Sequence, residues 1–374
     1  MAKRRLTIFA AAALFVGVIL GLVLIASRPP LPTPLALTTS TPPISKDTGI
    51  PIHRIAWNGG SWYMQGINVP WYNWGCDFGC NLKNDKTGGV STNIPILSAG
   101  FAQVKDAGMH VVRWWVFPGD PAQITRDASG VPIEIDPAVY ADFDAALQLA
   151  EQYDIYYNFV LFSAPTHIPK AWQTDPLQRA KLVDALSPLF AHYANNPRII
   201  SWEPYNEPEN DIWKWRIAQQ PVVDTGTAIA QSVHANAPGT YVTIGHFKAE
   251  GMKMWLDAGL DYYSPHWYDY MSSGDNCIIC HDYSYYAAWG IDKPIVIGEY
   301  YTATSETPLY SSIYRNNYWY AKNYAGAWSW SLFPGQSSDG MVTDFTAAKA
   351  FAAQHSDFGP ISLSIATPSP TATE

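Results

Sequence analysis

One feature limits what this chain can fold into more than any other: a repeated alternation of two kinds of segment. Eight runs rich in β-branched and aromatic residues, bounded by Gly, Pro or Asn, recur between residues 50 and 360. They are YMQGINVP (63–70), HVVRWWVF (110–117), YYNFVLFS (156–163), IISWEPYN (199–206), YVTIGHF (241–247), YYSPHWY (262–268), PIVIGEYY (294–301) and GAWSWSLF (326–333). Such runs read as strands. Between most of them lie amphipathic stretches with helical period, namely PILSAGFAQVKDAG, YADFDAALQLAEQY, LQRAKLVDALSPLFAHYANN, TAIAQSVHANA and YSSIYRNNYWYAKNYA, and DFTAAKAFAAQHS follows the last strand. Strand then helix, repeated, means parallel βαβ units. Eight such units close an α/β fold into a (β/α)8 TIM barrel. The rival, a doubly wound open sheet, normally has fewer strands and a Gly-rich phosphate turn. Neither G-x-G-x-x-G nor G-x4-G-K-[ST] occurs in the chain.

The barrel has flanks of a different kind. Residues 1–5 (MAKRR) are basic, and Leu6 to Ala26 then runs 21 residues without a charge. At ~1.5 Å per residue this run would cover about 30 Å, the thickness of a hydrocarbon core. A cleaved signal peptide would have a shorter apolar region and a small-x-small site, whereas the flank here is LIASRP. The expectation is a transmembrane signal anchor over 6–26, with residues 1–5 in the cytoplasm and the rest at the cell surface. If the segment were cleaved, the protein would be secreted. Residues 27–49, rich in Pro, Thr and Ser, form a linker, and 361–374 a Thr/Pro-rich disordered tail. The folded unit is expected over 50–360, as a monomer.

Composition narrows the function. The chain carries 16 Trp, 23 Tyr and 14 Phe, and only 15% of its residues are charged. A net charge of −9 argues against a nucleic-acid partner, which normally needs a basic stripe. No His/Asp cluster has metal-ligand spacing, so neither a metal nor a cofactor is expected. The four cysteines, Cys76, Cys80, Cys277 and Cys280, fall as C-x3-C and C-x2-C. In an exported protein they read as two disulfides, with two local loop staples favoured over a cross-link and free thiols or a zinc site as the lesser alternatives.

In barrel enzymes the chemistry sits at the C-terminal ends of the strands. The fourth predicted strand ends in Asn206-Glu207-Pro208-Glu209, the seventh in Gly298-Glu299-Tyr300. Glu207 and Glu299 are 92 residues apart, about three βα units, so they face each other across the barrel mouth. A carboxylate pair flanking a substrate is what glycoside hydrolysis needs: one protonates the leaving oxygen, and the other attacks or activates water. Glu203 has the same parity but lies deeper, where a neighbour such as Arg113 would satisfy it. Glu209 reads as a first-turn acid of the following helix.

These residues carry a family resemblance. Asn206-Glu207-Pro208 with Gly298-Glu299, Arg113 in Val112-Arg113-Trp114, His266-Trp267-Tyr268 and Trp328-Ser329-Trp330 together resemble clan A glycoside hydrolases. Within that clan they are most similar to family five, the cellulase and mannanase group. The resemblance covers residues 55–345. It implies Glu207 as acid/base and Glu299 as nucleophile, with Arg113 and Tyr268 keeping Glu299 ionised. It also implies Asn206 on the sugar 2-hydroxyl, His266 on sugar or Tyr268, and Trp330, or its same-parity neighbour Trp328, under the reacting sugar. Family members commonly place a His at the end of strand three; here that strand runs Asn158 to Ala164, and His167 follows.

The aromatic surplus fits sugar binding, because pyranose faces pack on Trp and Tyr. Trp71, Trp74, Trp114, Trp115, Trp213, Trp215 and Trp267 fall at or beyond strand ends, where about half would touch ligand and the rest would be core. The reading is a retaining endo-β-glycanase acting on β-glucan or β-mannan. The alternatives are an exo-acting β-glycosidase of the same clan and a non-catalytic carbohydrate-binding surface protein.

Overall fold

The computed structural model describes residues 54–57, 60–79, 88–163, 168–301, 312–334, 341 and 343–355. The expected membrane anchor, linker and tail, together with Cys80 and His167, lie outside the described residues. Among the described residues no helix is long and apolar enough to cross a membrane.

Eight parallel strands close on themselves. They are β1 (Met64–Val69), β2 (Val111–Trp115), β3 (Tyr156–Ser163), β4 (Ile199–Asn206), β5 (Tyr241–Val242 and Gly245–His246), β6 (Ser264–Trp267), β7 (Val296–Tyr301) and β8 (Gly326–Trp330). Each pairs with the next, and β8 pairs back to β1, with Gly326 opposite Met64. β3 and β4 match the expected bounds to the residue. β5 departs from the single expected run and is two short pieces. The second piece bridges its neighbours, since Gly245 pairs with Asn206 of β4 and with Ser264 of β6. A Cβ at Gly245 would collide with Glu203 Oε1 and Arg113 Nη2, so β5 approaches an ion pair inside the barrel at a point only glycine permits.

Helices cover the outside. The helix Pro176–His192 starts where Asp175 accepts the N–H of Leu177 at 2.9 Å with Pro176 at its first position. The helix Phe345–Gln354 is capped likewise by Asp344 on Ala347 N–H. Phe143, from the helix Ala138–Tyr153, packs on Phe159 of β3 and Trp202 of β4, with ring centroids 4.8 and 5.9 Å away. Full burial of such a side chain is worth about 1.5–3 kcal/mol. No amphipathic stretch is legible after β5 and β6. There the connections are a 3-10 helix (Ala249–Trp255) after β5, and two 3-10 turns (Asp269–Met271 and Gly274–Asn276) with a short helix (Tyr283–Ala287) after β6.

A feature the strand pattern does not announce closes the N-terminal end. Ile55–Trp57 and Gly60–Trp62 form an antiparallel hairpin before β1. Its Trp57 and Trp62 pack on Tyr241 and Tyr156 at 5.6 and 5.0 Å. With Met64, Val111, Ile200, Val296 and Trp328 they form a core separate from the outer helical layer. One end of the barrel is therefore plugged with apolar side chains, which leaves the opposite end for chemistry.

Candidate active site

Inside the barrel the strands carry a ladder of polar side chains in matched register. Asn68 of β1 lies opposite Arg113 of β2, and Arg113 opposite Asn158 of β3. Arg113 is wholly buried. Its Nε and Nη2 donate to the two oxygens of Glu203 at 2.8 and 2.5 Å, and Nη1 donates to Glu299 Oε1 at 2.8 Å. The remaining donors reach Asn68 Oδ1 at 3.1 Å and Asn206 Oδ1 at 2.7 Å. Asn158 Nδ2 also donates to Glu203 at 2.7 Å, so that carboxylate is fully satisfied and structural. Asn158 in turn accepts from Ser201 at 2.5 Å, and Ser201 meets the Tyr262 hydroxyl at 2.7 Å. The sequence pointed to the Arg113–Glu203 pair at the centre of this ladder, whereas Asn68, Asn158, Ser201 and Tyr262 were not singled out. Its signal is a polar residue in the middle of an otherwise apolar strand.

Glu299 sits where β7 changes register against β8, between Ile297 and Tyr300. A bulge at this point re-aims a side chain. Gly298 permits close contact with β6, because a Cβ there would collide with Ser264 Oγ. Tyr268 donates its hydroxyl to Glu299 Oε2 at 2.5 Å. Across the mouth, Glu207 has a φ of 51°, a left-handed backbone unusual for glutamate. Its Oε2 accepts from Asn210 Nδ2 at 3.0 Å. His266 Nδ1 lies between the acids, 2.9 Å from Glu207 Oε1 and 3.5 Å from Glu299 Oε2.

One oxygen of Glu207, one of Glu299 and a ring nitrogen of His266 lie within 4.8 Å of one another. Such a trio could converge on a cation, but Arg113 and Tyr268 already occupy both oxygens of Glu299.

The two acids differ in their surroundings. Burial, then the charge of Glu209, pushes the Glu207 carboxyl up to about 7. Burial also raises Glu299, opposed by His266, Arg113 and the Tyr268 hydrogen bond. Glu299 alone holds the direct guanidinium and phenol contacts, so of this coupled pair Glu207 keeps the proton. Burial lowers His266 to about 4, which leaves the ring neutral at neutral pH. Burial alone would lower Arg113, but Glu203 and Glu299 hold it above its ordinary value.

The structure thus brings Arg113, Asn206, Glu207, His266, Tyr268 and Glu299 together. Trp330 stands half-buried at the end of β8, edge-on to Trp115 at 5.6 Å, and Trp115 itself lies under Arg113 at 4.3 Å. Trp328 is not in the mouth. It is fully buried in the plug core, with its ring against Gly66 and Tyr262. Trp114 and Trp267 are likewise buried, among Phe78 and Phe101 and against Trp319. Trp74 is 40% exposed at the rim, edge-on to Trp71 at 4.3 Å, and Trp213 and Trp215 are also exposed. Tyr270, not singled out from the sequence, is exposed and parallel to Tyr268 at 6.0 Å. Cys277 and Cys280 are joined as a local staple. Cys76 is also disulfide-bonded.

Comparison with known proteins agrees with this geometry. A family model described as cellulase (glycosyl hydrolase family 5) matches residues 75–334. The chain is 25% identical over 327 residues to a mannan endo-1,4-beta-mannosidase of Mytilus edulis, covering 74% of this chain and 86% of that protein. A second mannan endo-1,4-beta-mannosidase, from Cryptopygus antarcticus, is 22% identical, over 79% of this chain and 87% of its own length. The beta-mannanase structure from Mytilus edulis superposes with a TM-score of 0.68 at 21% identity, covering 83% of this chain and 97% of that one. The beta-1,4-mannanase of Aplysia kurodai gives 0.66 at 20% identity, with 82% and 97% covered.

Proposed function

The chain belongs to glycosyl hydrolase family 5, and from that premise we propose that it is an endo-acting β-mannanase in which Glu207 is the acid/base and Glu299 the nucleophile. It is a retaining glycoside hydrolase of β-linked glycans. The observation that carries the retaining mechanism is the closeness of the two acids, one oxygen of each lying within 4.8 Å of the other. The roles rest on the Arg113 and Tyr268 contacts that only Glu299 of the two makes. Inverting enzymes need about 6.5–9.5 Å to admit a water, whereas retaining ones hold their carboxyls about 5–5.5 Å apart. The curated relatives, both mannan endo-1,4-beta-mannosidases, support mannan as the polymer.

The reaction follows from the contacts. In the first step an oxygen of Glu299, held by Arg113 and Tyr268, attacks the anomeric carbon. The bond to the leaving oxygen breaks as Glu207 delivers its proton, and the shortened chain departs as an alcohol. The covalent glycosyl–Glu299 ester then meets water. Glu207, now ionised, removes a proton from that water as the oxygen attacks the same carbon and Glu299 leaves as carboxylate. Two inversions give net retention. Asn206, oriented by Arg113, is available for the 2-hydroxyl, and Trp330 for the sugar face.

A panel of soluble β-1,4-mannan, glucomannan, β-glucan and cellulose, with the fresh product anomer read by NMR, tests both halves. Fastest release of β-configured oligosaccharides from mannan is expected. Preference for glucan would overturn the substrate, and α-configured product the mechanism. We propose too that the domain is displayed at the cell surface through Leu6–Ala26.

A further inference from the structure

Two residues beyond Glu207, Glu209 opens the short helix Glu209–Trp213, where a first-turn acid ordinarily faces water. Instead it is 4% exposed. Its Oε2 accepts the N–H of Phe247 at 3.1 Å. Its Oε1 lies 3.7 Å from Nδ1 of the fully buried His246. Gly251 makes the space, since a Cβ there would collide with Oε1. The turn between β4 and this helix carries Glu207 in its left-handed conformation and is fixed at two points, to β5 and to the residue that follows it. One is the N–H of Glu207 donating to the Gly245 carbonyl at 2.6 Å, and the other is the Glu209 carboxylate on Phe247. A backbone held at positive φ without glycine persists only when its surroundings over-determine it.

We propose that Glu209 is a positioning residue for the general acid: its buried side chain pins the strained turn after β4, and with it Glu207, to the chain at the end of β5. This rests on the reading of Glu207 as the acid. The groups facing Glu207 are Arg113 from β2, His266 from β6, Glu299 from β7, Tyr268 and Tyr270 beyond β6, and Lys214 and Asn210 from its own side. Facing Glu209 are His246 of β5 and, around the adjoining cavity, Lys248, Glu250 and Lys253. Arg113 and Lys214 favour the ionised form of Glu207, and the charge of Glu209 opposes them. Without that charge the acid would release its proton at lower pH.

Glu209→Gln keeps an acceptor for Phe247 but removes the charge. The alkaline limb of kcat/KM on β-1,4-manno-oligosaccharides should move to lower pH by roughly one unit, the scale on which one nearby charge acts. Glu209→Asp keeps the charge but loses reach. Its limb should stay at the wild-type position while kcat falls by about tenfold or more, as a misplaced catalytic group costs. A purely structural role would leave both limbs unmoved. A folded Glu209→Gln enzyme with the wild-type limb overturns the charge role, and a Glu209→Asp enzyme with full kcat overturns the pinning role. Glu207→Ala on an activated aryl β-glycoside serves as the control and should show no alkaline limb. A limb that persists there would refute Glu207 as the acid, separately from Glu209.

Discussion

Arg113 shows how one residue couples stability to chemistry. A guanidinium has five N–H donors, and here all five are used, on Glu203 twice, Asn206, Asn68 and Glu299. A lysine offers three donors without the fork. Arg113→Lys should therefore lower stability by about 3–5 kcal/mol, the cost of breaking a buried pair, and reduce kcat by about 100-fold or more; a thermal melt and a mannan assay would show both. The two acids should separate by leaving group. Glu299→Ala should abolish turnover of every substrate, because no covalent intermediate can form. Glu207→Ala should spare activated aryl glycosides, and azide should restore turnover with retained configuration. Equal loss on both substrate types without rescue would show the roles to be misassigned. The pH profile has a definite sign. Glu207, raised to about 7, acts protonated in the first step, so kcat/KM should fall as pH rises through that value.

At the scale of elements the barrel divides labour between its ends, and the sequence reveals the two ends unequally. β3 and β4 were legible to the residue because strands buried on both faces read as unbroken runs with sharp polar borders. β5 was not, because its break depends on Gly245 passing an ion pair made by two other strands. The hairpin Ile55–Trp57/Gly60–Trp62 was missed because three-residue strands leave no alternation to detect. Strand-end motifs exposed Glu207, Glu299 and the residues around them. Depth was invisible: Trp328 and Trp330 share parity, yet only the burial of Trp328 in the plug shows that the two serve different ends. The Asn68–Arg113–Asn158 ladder and the Glu209–Phe247 contact needed cross-strand register. A test of the division is Trp62→Ala, which removes a buried indole from the plug. It should cost about 3–5 kcal/mol and leave kcat per folded molecule unchanged. A lowered kcat in folded protein would show that the ends are coupled.

For the whole molecule, the question is what places a polymer-degrading barrel near its substrate. The chain's net charge of −9 gives the domain no electrostatic hold on an anionic headgroup surface, which attracts lysine and arginine clusters. The proposed display through residues 1–26 would then rest on apolar insertion rather than on charge. The uncharged run Leu6–Ala26, behind Lys3, Arg4 and Arg5, supports an inside N-terminus. The native protein should accordingly fractionate with membranes and resist extraction by high salt, since screening weakens charge attraction but not apolar insertion. A version beginning near residue 48 should be fully soluble and should match the native enzyme in turnover of soluble mannan, because every residue of the mouth lies beyond that point. Release by salt would mean that a surface patch, not the apolar run, makes the contact. Recovery from the culture medium with a new N-terminus near Ser27 would show instead that Leu6–Ala26 is removed and the enzyme is secreted.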